Sequence, residues 1–188
     1  MTDGTDTLRM YDELAYDDLL PVAWRPSPVP LDDLAAHRYD EANQHLLHAC
    51  ASLDDQPLMP REKADDSTPV MAELARLEFK VTLMLDLLIH VASRDLRRPD
   101  PVRIRFNAIG ASVDADKIHF EMNSSGMLDI YLRNALPQPL TLAARVVGRD
   151  GNQAKLRFMP MSETVADLIE KLAFRRHRRH VADSRRAR

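Results

Sequence analysis

Val102-Arg103-Ile104-Arg105-Phe106-Asn107 is the stretch on which the fold turns. Apolar side chains at 102, 104 and 106 alternate with polar ones at 103, 105 and 107. A period of two sends one face of a strand to a core and the other to water. Downstream the pattern repeats. Ile118 and Phe120 alternate with His119 and Glu121, and Leu128, Ile130 and Leu132 with Asp129, Tyr131 and Arg133. Leu140, Leu142, Ala144 and Val146 make a further strand. Lys155-Leu156-Arg157-Phe158 makes the last, after a turn at Gly148-Arg149-Asp150-Gly151-Asn152. Short strands at close spacing with tight turns predict a small antiparallel barrel over residues 99–160. Ser162-Glu163-Thr164 then opens a closing helix over 161–180, with Val165, Leu168, Ile169, Leu172 and Ala173 facing inward. Residues 181–188 are expected to form a basic, disordered tail.

Upstream of residue 99 the period lengthens to that of a helix. Ser67 or Thr68 caps a helix with Pro69 in its first turn and Glu73 early, as the helix dipole favours. It spans 68–98, with its last turns near Leu96 before Pro99, and is about 42 Å long. Val70, Leu74, Leu77, Val81, Met84, Leu88 and Val91 recur in steps of four and three, a heptad seam. Leu83, Leu85, Leu87 and Ile89 are also apolar, so residues 81–91 are apolar around most of the circumference. The chain's own barrel can cover one side. The rest asks for partner helices, and a seam this broad favours a tetramer. Residues 54–67 hold Pro57, Pro60 and many charges, and form a linker. Residues 31–53 form an amphipathic helix capped by Asp32 or Asp33, with Tyr39, Ala42, Leu46, Ala49, Cys50 and Leu53 on one stripe. Residues 1–30 form an extended arm. Prolines at 21, 26, 28 and 30 exclude a helix there, and Trp24 anchors the arm to a core.

The charge balance is uneven. The 188 residues carry a net charge of −3. Residues 1–66 hold 15 acidic and 5 basic side chains, and residues 171–188 hold 8 basic and 1 acidic. Charged ends on a neutral middle allow attraction between subunits or an anionic partner for the C-terminus. One cysteine, Cys50, excludes an internal disulfide framework. No apolar run is long enough to span a bilayer, and no secretion signal opens the chain, so a cytoplasmic protein is expected. His37, His45 and His48 lack a completing ligand set, so no metal site is expected. No glycine-rich phosphate loop and no nucleophile motif occurs, so no catalytic residue is assigned and no enzyme is expected. A nucleic-acid reading rests only on Arg175, Arg176, Arg178, Arg179, Arg185, Arg186 and Arg188. No recognition-helix motif accompanies them.

Three stretches carry a resemblance. They are Leu20-Pro21-Val22-Ala23-Trp24-Arg25-Pro26; Arg76-Leu77-Glu78-Phe79-Lys80 running into Met84-Leu85-Asp86-Leu87-Leu88; and Asn107-Ala108-Ile109-Gly110 with Gly126 through Leu132 and Leu136-Pro137-Gln138-Pro139-Leu140. In this order they resemble the PilZ domains, in particular the tetrameric PilZ proteins of xanthomonads. The resemblance implies an α+β fold: a PilZ-like antiparallel β-barrel, an N-terminal helical extension including the long heptad helix, and a C-terminal helix. It also implies cyclic di-GMP signalling, which governs motility, biofilm and virulence.

PilZ domains hold cyclic di-GMP with an Arg-x-x-x-Arg element and an Asp/Asn-x-Ser-x-x-Gly element. The arginines grip phosphates and stack on guanine. Here Arg94 and Arg98 match the first spacing, with Arg97 beside them. Aligning the second element on Gly110 puts Arg105 at the acidic or amide position and Asn107 at the serine. These six residues form a degenerate site, and no, or very weak, cyclic di-GMP binding is expected, with no other cofactor. The chain then reads as a non-enzymatic regulator or adaptor that self-assembles and meets a protein partner not named by its sequence. A cyclic di-GMP receptor with altered contacts is the first alternative, and an anionic-surface or nucleic-acid binder is the second.

Overall fold

A computed structural model describes residues 15–27, 31–55, 69–93, 98–133 and 136–186. Six strands close into an antiparallel barrel: β1 (Tyr16–Pro26), β2 (Pro101–Phe106), β3 (Gly110–Asp114), β4 (Ser125–Ile130), β5 (Leu140–Asp150) and β6 (Gln153–Phe158). Their order around the barrel is β1-β2-β3-β6-β5-β4. Three helices accompany them: α1 (Asp33–Asp55), α2 (Pro69–Ser93) and α3 (Glu163–Arg186).

The alternation expected of 102–106 is realised. Val102, Ile104 and Phe106 are buried, and Arg103 and Arg105 lie on the opposite face of β2. Leu128, Ile130, Leu140, Leu142, Ala144, Val146 and Leu156 complete the barrel interior. The caps also appear. Ala35 N–H donates to Asp32 Oδ1 at 2.7 Å at the start of α1, and Val165 N–H donates to Ser162 Oγ at 3.2 Å at the start of α3. Leu46, Leu47 and Cys50 of α1 and Val165, Ile169, Leu172 and Ala173 of α3 are buried in the same core.

Several expectations are corrected. The arm of residues 1–30 contains a barrel strand, so the barrel is not confined to 99–160. β1 pairs with β2 from Tyr16 to Pro21 and then with β4 from Val22 to Pro26. Pro21 sits at the handover, where a missing N–H interrupts neither ladder. Residues 118–121 are not a strand. They belong to an irregular crossing between β3 and β4, and Phe120 is buried, its ring centroid 5.6 Å from that of Trp24. The strand in that region is β3, whose inward residues are only Ala111 and Val113. Leu53, placed on the α1 stripe, is exposed, while Asn43 and Leu47 are buried. The long helix is described from Pro69 to Ser93, residues 94–97 lie outside the described set, and Arg98 is not helical, so the helix stops short of 98. The closing helix runs on to Arg186, so most of the tail expected at 181–188 is helical.

Candidate functional site

Of the residues matched to the two nucleotide-binding elements, the described ones do not come together. Arg94 and Arg97 lie outside the described residues. Arg98 follows α2 and is not helical. Its guanidinium donates to the Leu136 carbonyl at 2.8 Å and to the Arg133 carbonyl at 3.5 Å, and it lies 5.5 Å from the centroid of the Tyr131 ring. It fastens the β4–β5 connection. Asn107 and Gly110 sit at the other end of β2. Six residues of strand put them roughly 20 Å from Arg98.

At that far end, Asn107 works as a turn residue. Its Oδ1 accepts from Ile109 N–H at 2.9 Å and from Gly110 N–H at 3.1 Å. This side-chain-to-backbone pattern shapes the β2–β3 turn. Its Nδ2 is buried without a hydrogen-bond partner in the structure. Gly110 opens β3 opposite Arg157, and Arg105 pairs in register with Asp17 and Ser112. Cations therefore gather on this outer face, but the arginine fork of the first element is absent from it among the described residues.

A polar cluster not singled out in the sequence lies where α1 crosses β4 and β5. Arg25 donates bidentately to Asp129, Nε–Oδ2 at 2.6 Å and Nη2–Oδ1 at 3.0 Å. Hydrogen bonding to this carboxylate pushes the Arg25 guanidinium pKa upwards. Thr141 Oγ1 donates to Asp129 Oδ1 at 2.8 Å. Asn43 completes the cluster: its Nδ2 donates to the Thr141 carbonyl at 2.8 Å, and its Oδ1 accepts from Thr141 N–H at 3.0 Å. β6 pairs with β5 only from Ala144 onwards. The Asn43 amide thus stands in for a neighbouring strand at Thr141. A single Asn on an otherwise apolar helical stripe was the only available signal. Beside this cluster, a cleft of about 220 Å³ is lined by Tyr39, Met127, Met159 and Met161 among others.

The most exposed apolar feature is α2. Leu74, Leu77, Val81, Met84 and Leu88 of the seam are 49%, 52%, 54%, 62% and 63% exposed. Met71, Phe79, Leu83 and Leu87 are exposed as well. Every side chain of α2 that the structure describes faces solvent, so among the described residues the barrel covers no side of it, where the sequence had suggested that it could cover one. Val70 and Val91 fall on the same seam by register; their side chains lie outside the described set. Burying a leucine-sized side chain stabilises by about 2 kcal/mol, so this seam holds a large unspent driving force for association.

Among the described residues, no three His, Cys, Asp or Glu side chains are grouped to hold a metal ion, and no helix is long and apolar enough to cross a membrane. Against known proteins, a family model described as atypical PilZ domain, cyclic di-GMP receptor, matches residues 47–186. The chain belongs to the atypical PilZ family. The match runs from the second half of α1 to the end of α3 and leaves β1 outside it. A search of curated proteins gave no significant relative. Among solved structures, the chain resembles a pathogenic protein from Xanthomonas campestris. That protein is described as a tetrameric PilZ domain self-assembled through an unusual helical bundle. Identity is 23%, coverage is 91% of each chain, and the TM-score is 0.68, which supports a shared fold. PilZ domains serve in cyclic di-GMP signalling as regulatory modules rather than enzymes.

Proposed function

We propose that this chain is a non-enzymatic regulator or adaptor of cyclic di-GMP-related signalling, assembled as a tetramer through α2 and not itself holding the nucleotide. The observation that carries the reading is the exposed seam from Leu74 to Leu88. A helix with this much apolar surface in water is stable only when other helices cover it. The Xanthomonas protein of similar fold, described as assembling through a helical bundle, supports the same reading. The separation of Arg98 from Asn107 and Gly110 supports the lack of nucleotide binding. A ligand with two phosphates needs its cations and its base contacts on one surface.

A second reading, a cyclic di-GMP receptor with altered contacts, has two supports. One is the family description. The other is Asn107 Nδ2, a buried donor awaiting an acceptor at the position of the motif serine. Isothermal titration of the assembled protein with cyclic di-GMP separates the two. No heat from folded protein at high concentration is expected. Saturable heat at a defined stoichiometry, abolished by Asn107→Leu or Arg105→Ala, would establish the receptor reading instead.

A further inference from the structure

The cleft beside the Asn43 cluster lies between α1, β4, β5 and the segment that joins β6 to α3. Its volume is about 220 Å³. Small-molecule ligands ordinarily occupy roughly 300–1,000 Å³, so this space suits a single side chain. Met127 in its lining is 2% exposed, and Met159 and Met161 are part-buried just after β6. Thioether side chains are unbranched and polarizable, and they adapt to the shape of an apolar guest. Asn43 and Thr141 also line the cleft, and the hydrogen bonds between them fasten α1 to β5. The cleft is therefore set on paired side chains and barrel strands.

Its border is acidic. On α1, Ala36, His37, Asp40 and Asn43 line the cleft. At 3.6 residues per turn Asp33 falls on the same face, about 6 Å before His37 along the axis. Glu41 is exposed beside His37, its Oε1 3.3 Å from His37 Nε2. Across the cleft, Ser162 N–H lies 3.4 Å from Asp40 Oδ1, and the exposed Glu163 follows Ser162 in the chain. Asp33 suits the positive end of the α1 dipole, but Asp40 and Glu41 lie two turns in, beyond its reach. Among the described residues, no lysine or arginine lines the cleft. Arg38 falls on the opposite side of α1, and Arg25 is held by Asp129.

We infer that this cleft docks a partner protein through one leucine- or phenylalanine-sized side chain flanked by lysine or arginine. The apolar anchor enters among the methionines, and the flanking cations meet Asp33, Asp40, Glu41 and Glu163. Burial of the anchor supplies affinity, while the charges select the partner and speed its encounter. This gives the adaptor reading a partner chemistry and rests on that reading, although the cleft uses no residue of α2.

The test follows methionine methyl resonances of the full chain during titration with three amidated peptides, Lys-Arg-Phe-Arg-Lys, Lys-Arg-Ala-Arg-Lys and Glu-Glu-Phe-Glu-Glu. The first should shift the Met159 and Met161 methyls saturably, and the other two should bind at least about tenfold more weakly. Ala36→Phe, at an exposed position of the lining, fills the cleft and should abolish saturation. Asp33→Asn with Asp40→Asn keeps the shapes and should weaken binding about threefold to tenfold at low salt, a gap that closes as salt is added. No saturable shift up to about 1 mM peptide, equal binding of the alanine or acidic peptide, or binding unchanged by both sets of substitutions would overturn the docking site. In the free protein, contacts between the Val29 methyls and the Met161 methyl would put the chain's own Pro28-Val29-Pro30 in the cleft, and a methionine shift on dilution would put a second copy there. Either result overturns the partner. Saturable binding by a chain that sediments as a monomer would uphold the docking site and refute assembly through α2, so the two fail separately.

Discussion

Asn43 binds both backbone groups of Thr141, so its amide replaces a missing strand with two hydrogen bonds. Asn43→Ala strands a buried N–H and a buried C=O. A loss of about 2 kcal/mol is expected, read as a lower midpoint in urea with unchanged slope. Gly126 is fixed by close approach. A Cβ there would collide with the Arg25 carbonyl and come within 2.9 Å of Trp24 Cζ2. Gly126→Ala should therefore force β1 away from β4 and cost about 2 kcal/mol in the same measurement. Tyr16 is buried, and this desolvation, with Asp18 nearby, pushes its phenol up to about 12 from 10.0. A phenol that ionises more readily when unfolded stabilises the fold fully below pH 10 and loses that contribution as pH rises through 12. Tyr16→Phe should flatten the fall in stability between those values. A fall equally steep in the variant would remove Tyr16 as its cause. At this scale the sequence was least legible. Arg25 and Asp129 are 104 residues apart, and nothing in either neighbourhood announces a pair.

Whether α2 is an assembly helix is decided at the scale of the element. Leu77→Glu, Val81→Lys and Leu88→Glu place charges in a seam that must be dry if helices pack on it. The triple variant should remain folded by circular dichroism and fall to the monomer mass in sedimentation. An unchanged mass would show that α2 is not the interface. The helix of α2 was plain in the sequence because its spacing depends on local order alone. The barrel strands with large alternating residues, β2, β4, β5 and β6, were plain for the same reason. β3 was missed because Gly110-Ala111-Ser112-Val113-Asp114 buries only one residue larger than alanine on its inner face. Ile118 and Phe120 misled because an irregular segment packed on the core can turn alternate apolar residues inward without a ladder. β1 was read as extended but not as a strand. Its prolines exclude a helix without announcing a ladder, and its change of partner at Pro21 is a long-range fact.

For the whole molecule, a closed barrel with α1 and α3 packed on it forms one core, and α2 stands with its apolar surface in water. The described strands close into a circle, and Asn43 covers the part of β5 at Thr141 that β6 does not reach, so the barrel itself offers little edge to another chain. The proposed association therefore rests on the helix. The PilZ resemblance was legible because its three stretches bracket the whole barrel. The placement of the residues matched to the nucleotide elements was legible only in part. The sequence showed the wrong residue types at 105 and 107, but the distance between Arg98 and that turn depends on β2 lying between them. The most direct test of the central claim is the mass of the full chain in solution by sedimentation equilibrium at micromolar concentration. A species of about four times the 21.4 kDa chain is expected. A single species of 21.4 kDa, folded and unchanged on dilution, would contradict assembly through α2.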